Sequence, residues 1–203
     1  MKIILVIFLS VSTSFANWGL WVSERSDAKL NINGTTNSYS LWDDGVGTFH
    51  GSDLGAFTNG DILEINSIVG RTWKNQNSTV TGNDYFYVIY ETGARPSSPS
   101  FISLNGGLLT DLDNGNQEWG ANGLHVNLLS GLEPNKSYTL EVYGYVDGNN
   151  QGEQTERKYD DNNGSITHYT ATFTTDASLP VELLNFISSV ENSEVNLIWE
   201  TAT

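Results

Sequence analysis

Three tryptophans stand where a ring could meet a ligand. Trp42 precedes Asp43-Asp44, Trp73 lies within Arg71-Thr72-Trp73-Lys74-Asn75, and Trp119 follows Asn116-Gln117-Glu118. A sugar ring packs its C–H face on an aromatic ring and gives its hydroxyls to polar neighbours, so these settings suit glycan binding. Tyr143 and Tyr145 join them, because they fall on the less apolar side of an alternating stretch. The competing reading of each ring is packing in the core. For Trp199, in a Val-x-Leu-x-Trp pattern, the core reading prevails.

Oxygen-rich clusters suggest a second chemistry. Residues 147–152 read Asp-Gly-Asn-Asn-Gln-Gly and approach the start of a calcium loop, but Gln151 stands at the fifth position and Lys158 at the twelfth, where a bidentate Glu belongs. Asp147, Asp160, Asp161 and Asn162 are the metal-ligand candidates, and calcium is the one cofactor they suggest. The competing account is solvated loops held by Asx turns.

Catalytic motifs are missing. His50, His125 and His168 lie on separate segments, none in a His-x-x-x-His pattern or beside a Gly-x-Ser-x-Gly elbow. The absence of cysteine excludes thiol catalysis. With 24 acidic residues a carboxylate pair can always be found, so finding one does not argue for a glycosidase. The net charge of −15 opposes nucleic-acid binding, which needs clustered Lys and Arg, and opposes anionic lipid surfaces.

The elements that must position these residues are strands. Apolar residues at helical spacing are absent, while 20 glycines and many Asn and Asp punctuate short β-branched or aromatic runs. This pattern predicts an all-β chain, an antiparallel β-sandwich of jelly-roll or fibronectin/immunoglobulin-like kind, with few or no helices. Strands are expected at 29–32, 38–42, 53–57, 62–73, 85–91, 101–104, 124–128, 138–147 and 168–175, with Asp44-Gly45 as a hairpin turn. The stretch 128–146 is the strongest signal: Leu129, Leu132 and Pro134 precede Tyr138, from which Tyr138, Leu140, Val142, Gly144 and Val146 alternate with polar or aromatic residues. It resembles the tyrosine corner of fibronectin and immunoglobulin-like sandwiches, which implies a buried Tyr138 whose hydroxyl bonds upstream backbone. Residues 147–165 read as one long loop.

The ends carry their own signals. Residues 1–16 combine a charged start, a short apolar run and Ser14-x-Ala16, which predicts a secretory signal peptide. No later run approaches the roughly 20 apolar residues of a spanning helix. Residues 17–176 are expected to form the sandwich module, and residues 177–203 the truncated start of a second, fibronectin-like β domain.

Leu179, Pro180, Val181, Glu182 and Leu183, then Trp199, Thr201 and Ala202, resemble the segment that precedes or opens the C-terminal region of type IX secretion system cargo proteins. Residues 53–175 resemble a β-sandwich module recurrent in the same secreted proteins, through Leu54-Gly55-Ala56-Phe57, residues 71–75, 85–90, 117–119 and 129–143, and Tyr169-Thr170-Ala171-Thr172-Phe173. The resemblance implies export to the extracellular space or cell surface, in the company of polysaccharide-degrading or adhesin domains. The expectation is therefore a noncatalytic glycan-binding or adhesion module, monomeric, with a polysaccharide or cell-surface glycan as partner. The alternative is a structural spacer stabilised by calcium, and the third reading is part of a polysaccharide-degrading enzyme.

Overall fold

The computed structural model describes residues 18–20, 26–41, 48–75, 78–150, 154–160, 168–176, 183–191 and 194–201. Its strands in chain order are β1 (Trp18–Leu20), β2 (Asp27–Ile32), β3 (Thr35–Ser40), β4 (Asp53–Phe57), β5 (Leu63–Lys74), β6 (Ser78–Glu91), β7 (Ile102–Ser103), β8 (Gly107–Asp111), β9 (Asn116–Asn127), β10 (Lys136–Asn150), β11 (Glu156–Asp160), β12 (Tyr169–Thr175), β13 (Leu183–Glu191) and β14 (Glu194–Thr201). One 3-10 turn at Asp113–Gly115 is the only helical element among the described residues. No helix there is long and apolar enough to cross a membrane.

Two six-stranded sheets make a sandwich. The first runs β3-β2-β5-β9-β8, with β1 paired to β5; the second runs β4-β12-β10-β6-β7, with β11 paired to β10. Every pairing between these strands is antiparallel except β4 with β12. The all-β sandwich expected from the alternation is therefore what forms. Twelve strands exceed the about seven to nine of an immunoglobulin domain. β13 and β14 make a separate hairpin in which Phe186 pairs with Trp199 and Val190 with Val195.

Period-two burial explains the layers. In β10, Tyr138, Leu140, Val142 and Val146 face inward, as do Tyr169, Ala171 and Phe173 in β12 and Leu63, Ile65 and Ile68 in β5. Tyr85 passes from the second sheet toward the first. A Cβ on Gly144 would come 2.4 Å from its ring, so this position cannot carry a side chain. Asp160 accepts hydrogen bonds from the Tyr85 and Tyr169 hydroxyls at 3.0 and 2.9 Å and is 2 % exposed. Burial, and then the Asp160 charge, push the Tyr85 phenol well above its usual range.

The tyrosine corner forms as its residues suggest. Tyr138 is buried and stacks on Phe173; its hydroxyl accepts from the Glu133 N–H at 2.9 Å and donates to the Glu133 carbonyl at 3.2 Å. Leu129 and Leu132 pack against the core beneath it.

The structure adds strands that the pattern left out. β1, β8 and β11 were not expected, and β9 begins well before residue 124. β11 corrects the reading of 147–165 as one long loop, because Tyr145 pairs with Tyr159 and Asp147 with Arg157 across a β10–β11 ladder. The β2–β3 hairpin turns on Asn33 and Gly34, both with positive φ, the geometry a two-residue Asn-Gly loop favours. The expected turn at Asp44-Gly45 lies outside the described residues.

Candidate functional site

Each sheet turns one face to its partner and one outward, so the sandwich offers two outer faces. On the first sheet, Arg71 and Trp73 of β5 point outward, because their neighbours Gly70 and Thr72 are buried. Cross-strand register places Trp73 between Gly19 of β1 and Asn116 of β9, and Arg71 opposite Glu118. A Cβ on Gly19 would fall 2.9–3.2 Å from Nε1, Cε2 and Cζ2 of Trp73. The indole therefore lies over this glycine, covering bare backbone as aromatic residues do beside glycine in sheets. Arg71 donates to Glu118 at 2.9 Å.

Beyond that ion pair a shallow depression of about 220 Å³ runs over the same face. Asp27, Lys29, Ser67, Asn122 and Glu118 supply its polar lining, with Val69 as an apolar patch and Leu109 and Thr110 from β8 at its side. Residues two apart on one strand face are about 7 Å apart. Trp73, Arg71 and Val69 thus form one row, from an aromatic ring into a polar trough. Lys29 offsets Asp27 within the trough and Arg71 at its rim offsets Glu118, so trough and rim together are charge-balanced in a chain of net charge −15.

The outer face of the second sheet is built differently. Tyr143 stacks on Phe86 at 5.0 Å and on His168 at 4.2 Å, and Phe86 stacks on Tyr145 at 5.8 Å. The Arg157 guanidinium covers Tyr145 at 3.5 Å, and Phe101 packs edge-on against Tyr143 and His168. The ring faces are committed to one another. Among the described aromatic residues of this face, Tyr159 is the exposed one, at 52 %.

Beside the stack, Glu141 is 1 % exposed yet fully partnered. Arg95 grips both its oxygens at 2.8 Å, the Tyr90 hydroxyl donates at 2.8 Å and His168 Nδ1 lies 2.7 Å away. Burial would raise the Glu141 carboxyl, but the bonds from Arg95, Tyr90 and His168 outweigh it and leave it below the usual range. Burial and the Glu141 carboxylate push the Tyr90 phenol up to about 12. A histidine held by a carboxylate invites comparison with a catalytic dyad. Here the carboxylate is already neutralised by Arg95, and the imidazole is held between Tyr143 and Phe101, an arrangement that rigidifies the face.

The sequence candidates separate accordingly. Trp73 lies half-buried on the outer face, on the strand that carries Arg71. Trp119 does not: it is 7 % exposed and packs with Trp18, Val80 and Val146, its indole N–H bonded to Gln117 at 3.2 Å. Its polar neighbours were misleading because Glu118 points to the opposite face. Tyr143 and Tyr145 are brought together, but their ring faces are occupied. Trp42, Asp161 and Asn162 lie outside the described residues. Asp147 is held bidentately by Arg157 at 2.8 Å, on the outer face, whereas Asp160 lies inside, on the rung of Gly144. Facing opposite sides of one sheet, the two cannot share an ion. Among the described residues no group of three or more His, Asp or Glu is placed to hold a metal.

A second cleft, about 530 Å³, lies at the tyrosine-corner end, between the Thr58–Asp61 turn and Leu129, Leu132 and Pro134. Among the described residues Phe57 is its one aromatic lining residue, and it is buried. Asp61 accepts from the Thr58 N–H and hydroxyl, bonds that hold its carboxyl below the usual range. Comparisons of the chain with protein-family models, with curated proteins and with solved structures find no match.

Proposed function

We propose that the sandwich is a noncatalytic glycan-binding or adhesion module of a secreted, type IX-exported protein, working at the extracellular surface. The observation that carries this reading is Trp73, laid over Gly19 and continuous with the charge-balanced trough. A ring already held by packing loses little freedom on binding, and the trough supplies donors and acceptors for hydroxyls. Balanced charge favours a neutral polysaccharide over a polyanion.

The test is retention on insoluble cellulose, chitin, xylan and mannan. Wild type is expected to be retained on at least one, and Trp73→Ala to lose that retention while melting normally. Equal retention of both proteins, or none on any polymer, rules the platform out. The spacer reading has one observation in its favour: the second sheet's outer face binds its own rings and charges to each other. A protein that ignores every polymer supports it.

A further inference from the structure

Trp73 does not hold itself in place. Its indole rests on Gly19, and Gly19 belongs to a three-residue strand held by its ladder with β5 and, through Trp18, by residues of the other sheet. β1 pairs with β5 at Trp18–Lys74, Gly19–Trp73 and Leu20–Thr72. Trp18 is 1 % exposed and fills a small second core with Val80 of β6, Trp119 of β9 and Val146 of β10. A Cβ on Gly148 of β10 would meet Trp18 at 2.8 Å, so the bare glycine makes the seat for this indole. Lys158 of β11 closes it: its ammonium donates to the Trp18 carbonyl at 2.6 Å and lies 4.1 Å from the ring centroid.

We infer that β1 is the positioning element of the Trp73 face, and that Lys158 and Gly148, on the opposite sheet, act on that face through Trp18. The physical chain is short. Lys158 and Gly148 fix Trp18, Trp18 fixes the height of Gly19 on β5, and Gly19 fixes the indole of Trp73. The part-buried cation–π contact and the charge-assisted bond from Lys158 add to the β1–β5 ladder in holding Trp18. Neither Gly148 nor Lys158 touches the outer face of the first sheet. Substituting them should nevertheless change how Trp73 presents itself. The functional consequence rests on the glycan-binding reading; the orientation of Trp73 does not.

The experiment is therefore made in two arms on the full chain. In the first, the near-ultraviolet circular dichroism due to Trp73 is taken as the difference between wild type and Trp73→Phe. That signal is expected to collapse in Gly19→Ala, whose methyl would sit 2.9 Å from the ring, and to fall by at least half in Lys158→Met. A Trp73 signal unchanged in Lys158→Met overturns the inference, whatever the protein binds. Should Gly19→Ala not fold, Lys158→Met, which removes the ammonium's contacts with Trp18 and leaves the strand ladders in place, decides alone. In the second arm, retention on the polysaccharide panel is measured for the same variants. Retention lost in Trp73→Ala and in Lys158→Met supports both readings. Retention lost in Trp73→Ala but kept in Lys158→Met sinks the positioning role and leaves the glycan site standing. With no retention of wild type, the glycan reading falls, and the dichroism arm still decides the role of β1.

Discussion

The two outer faces carry similar chemistry and use it in opposite ways. Each has an aromatic residue, an arginine–carboxylate pair and polar neighbours. On the second sheet, His168, Tyr143, Phe86, Tyr145 and Arg157 form one continuous stack, and Glu141 is enclosed by Arg95, Tyr90 and His168. On the first sheet, Trp73 lies over Gly19, and the Arg71–Glu118 pair borders a trough. The difference is between contacts made within the molecule and contacts left for something else. Composition does not distinguish the two. What does is whether a cross-strand neighbour is another ring or a glycine.

That contrast can be broken by measurement. The largest expected effect is on the first face: Trp73→Ala should reduce polysaccharide retention about tenfold or more, with a stability change under about 1 kcal/mol. Glu141→Ala should do the reverse, lowering stability by about 2 kcal/mol in denaturant titration and leaving retention unchanged, because Tyr90, His168 and the half-exposed Arg95 lose the buried carboxylate they share. Tyr143→Ala should cost about 2 kcal/mol, also without touching retention, since Tyr143 contributes stacking on three sides. Retention lost in either second-face variant would collapse the distinction.

Acid sharpens the same comparison. The folded-state value of Glu141 is depressed, so its contribution to stability is present above the ordinary glutamate value of about 4.3 and is lost as pH falls through the lower folded value. Stability should therefore decline below about pH 4, and the decline should be shallower in Glu141→Gln, read from urea midpoints at each pH. The smallest expected effect is that of calcium. Asp147 is held by Arg157 and Asp160 by two tyrosines, so melting curves with calcium and with chelator should superimpose. A rise of several degrees with calcium would show oxygen ligands that these contacts do not account for.

Much of the framework was legible in the residues. β4 falls on 53–57, β10 and β12 close to their expected bounds, and Tyr138 makes the corner its Leu-Leu-Pro prelude suggests. These are strands with one face on the main core, where alternation is strongest. The missed strands lack that constraint. β8, Gly-Leu-Leu-Thr-Asp, is an edge with almost every residue exposed, and β11, Glu-Arg-Lys-Tyr-Asp, reads as polar loop although its backbone completes a ladder. The first half of β9 hides behind Asn and Gly.

The site was less legible for a geometric reason. Trp73 and Trp119 look alike in sequence, each flanked by charged residues. The strand parity that sends one outward and the other inward depends on bulges in the β5–β9 ladder, between Ile65 and Ser67, and sequence does not announce them. Glu141 was hidden among two dozen acidic residues. Its position between Thr139 and Tyr143, on the outer set of the best-patterned strand, was the signal available.

The clasp between Trp18 and Lys158 also has a meaning in time. Its two residues are separated by 140 positions, and the pocket they close is completed only by strands that come near the end of the sandwich. A chain emerging amino-end first would expose Trp18 long before its seat exists. Closing so long a loop is slow and pairs with few local contacts to help it along. During synthesis, then, Trp18 can take its seat only after β11 has emerged.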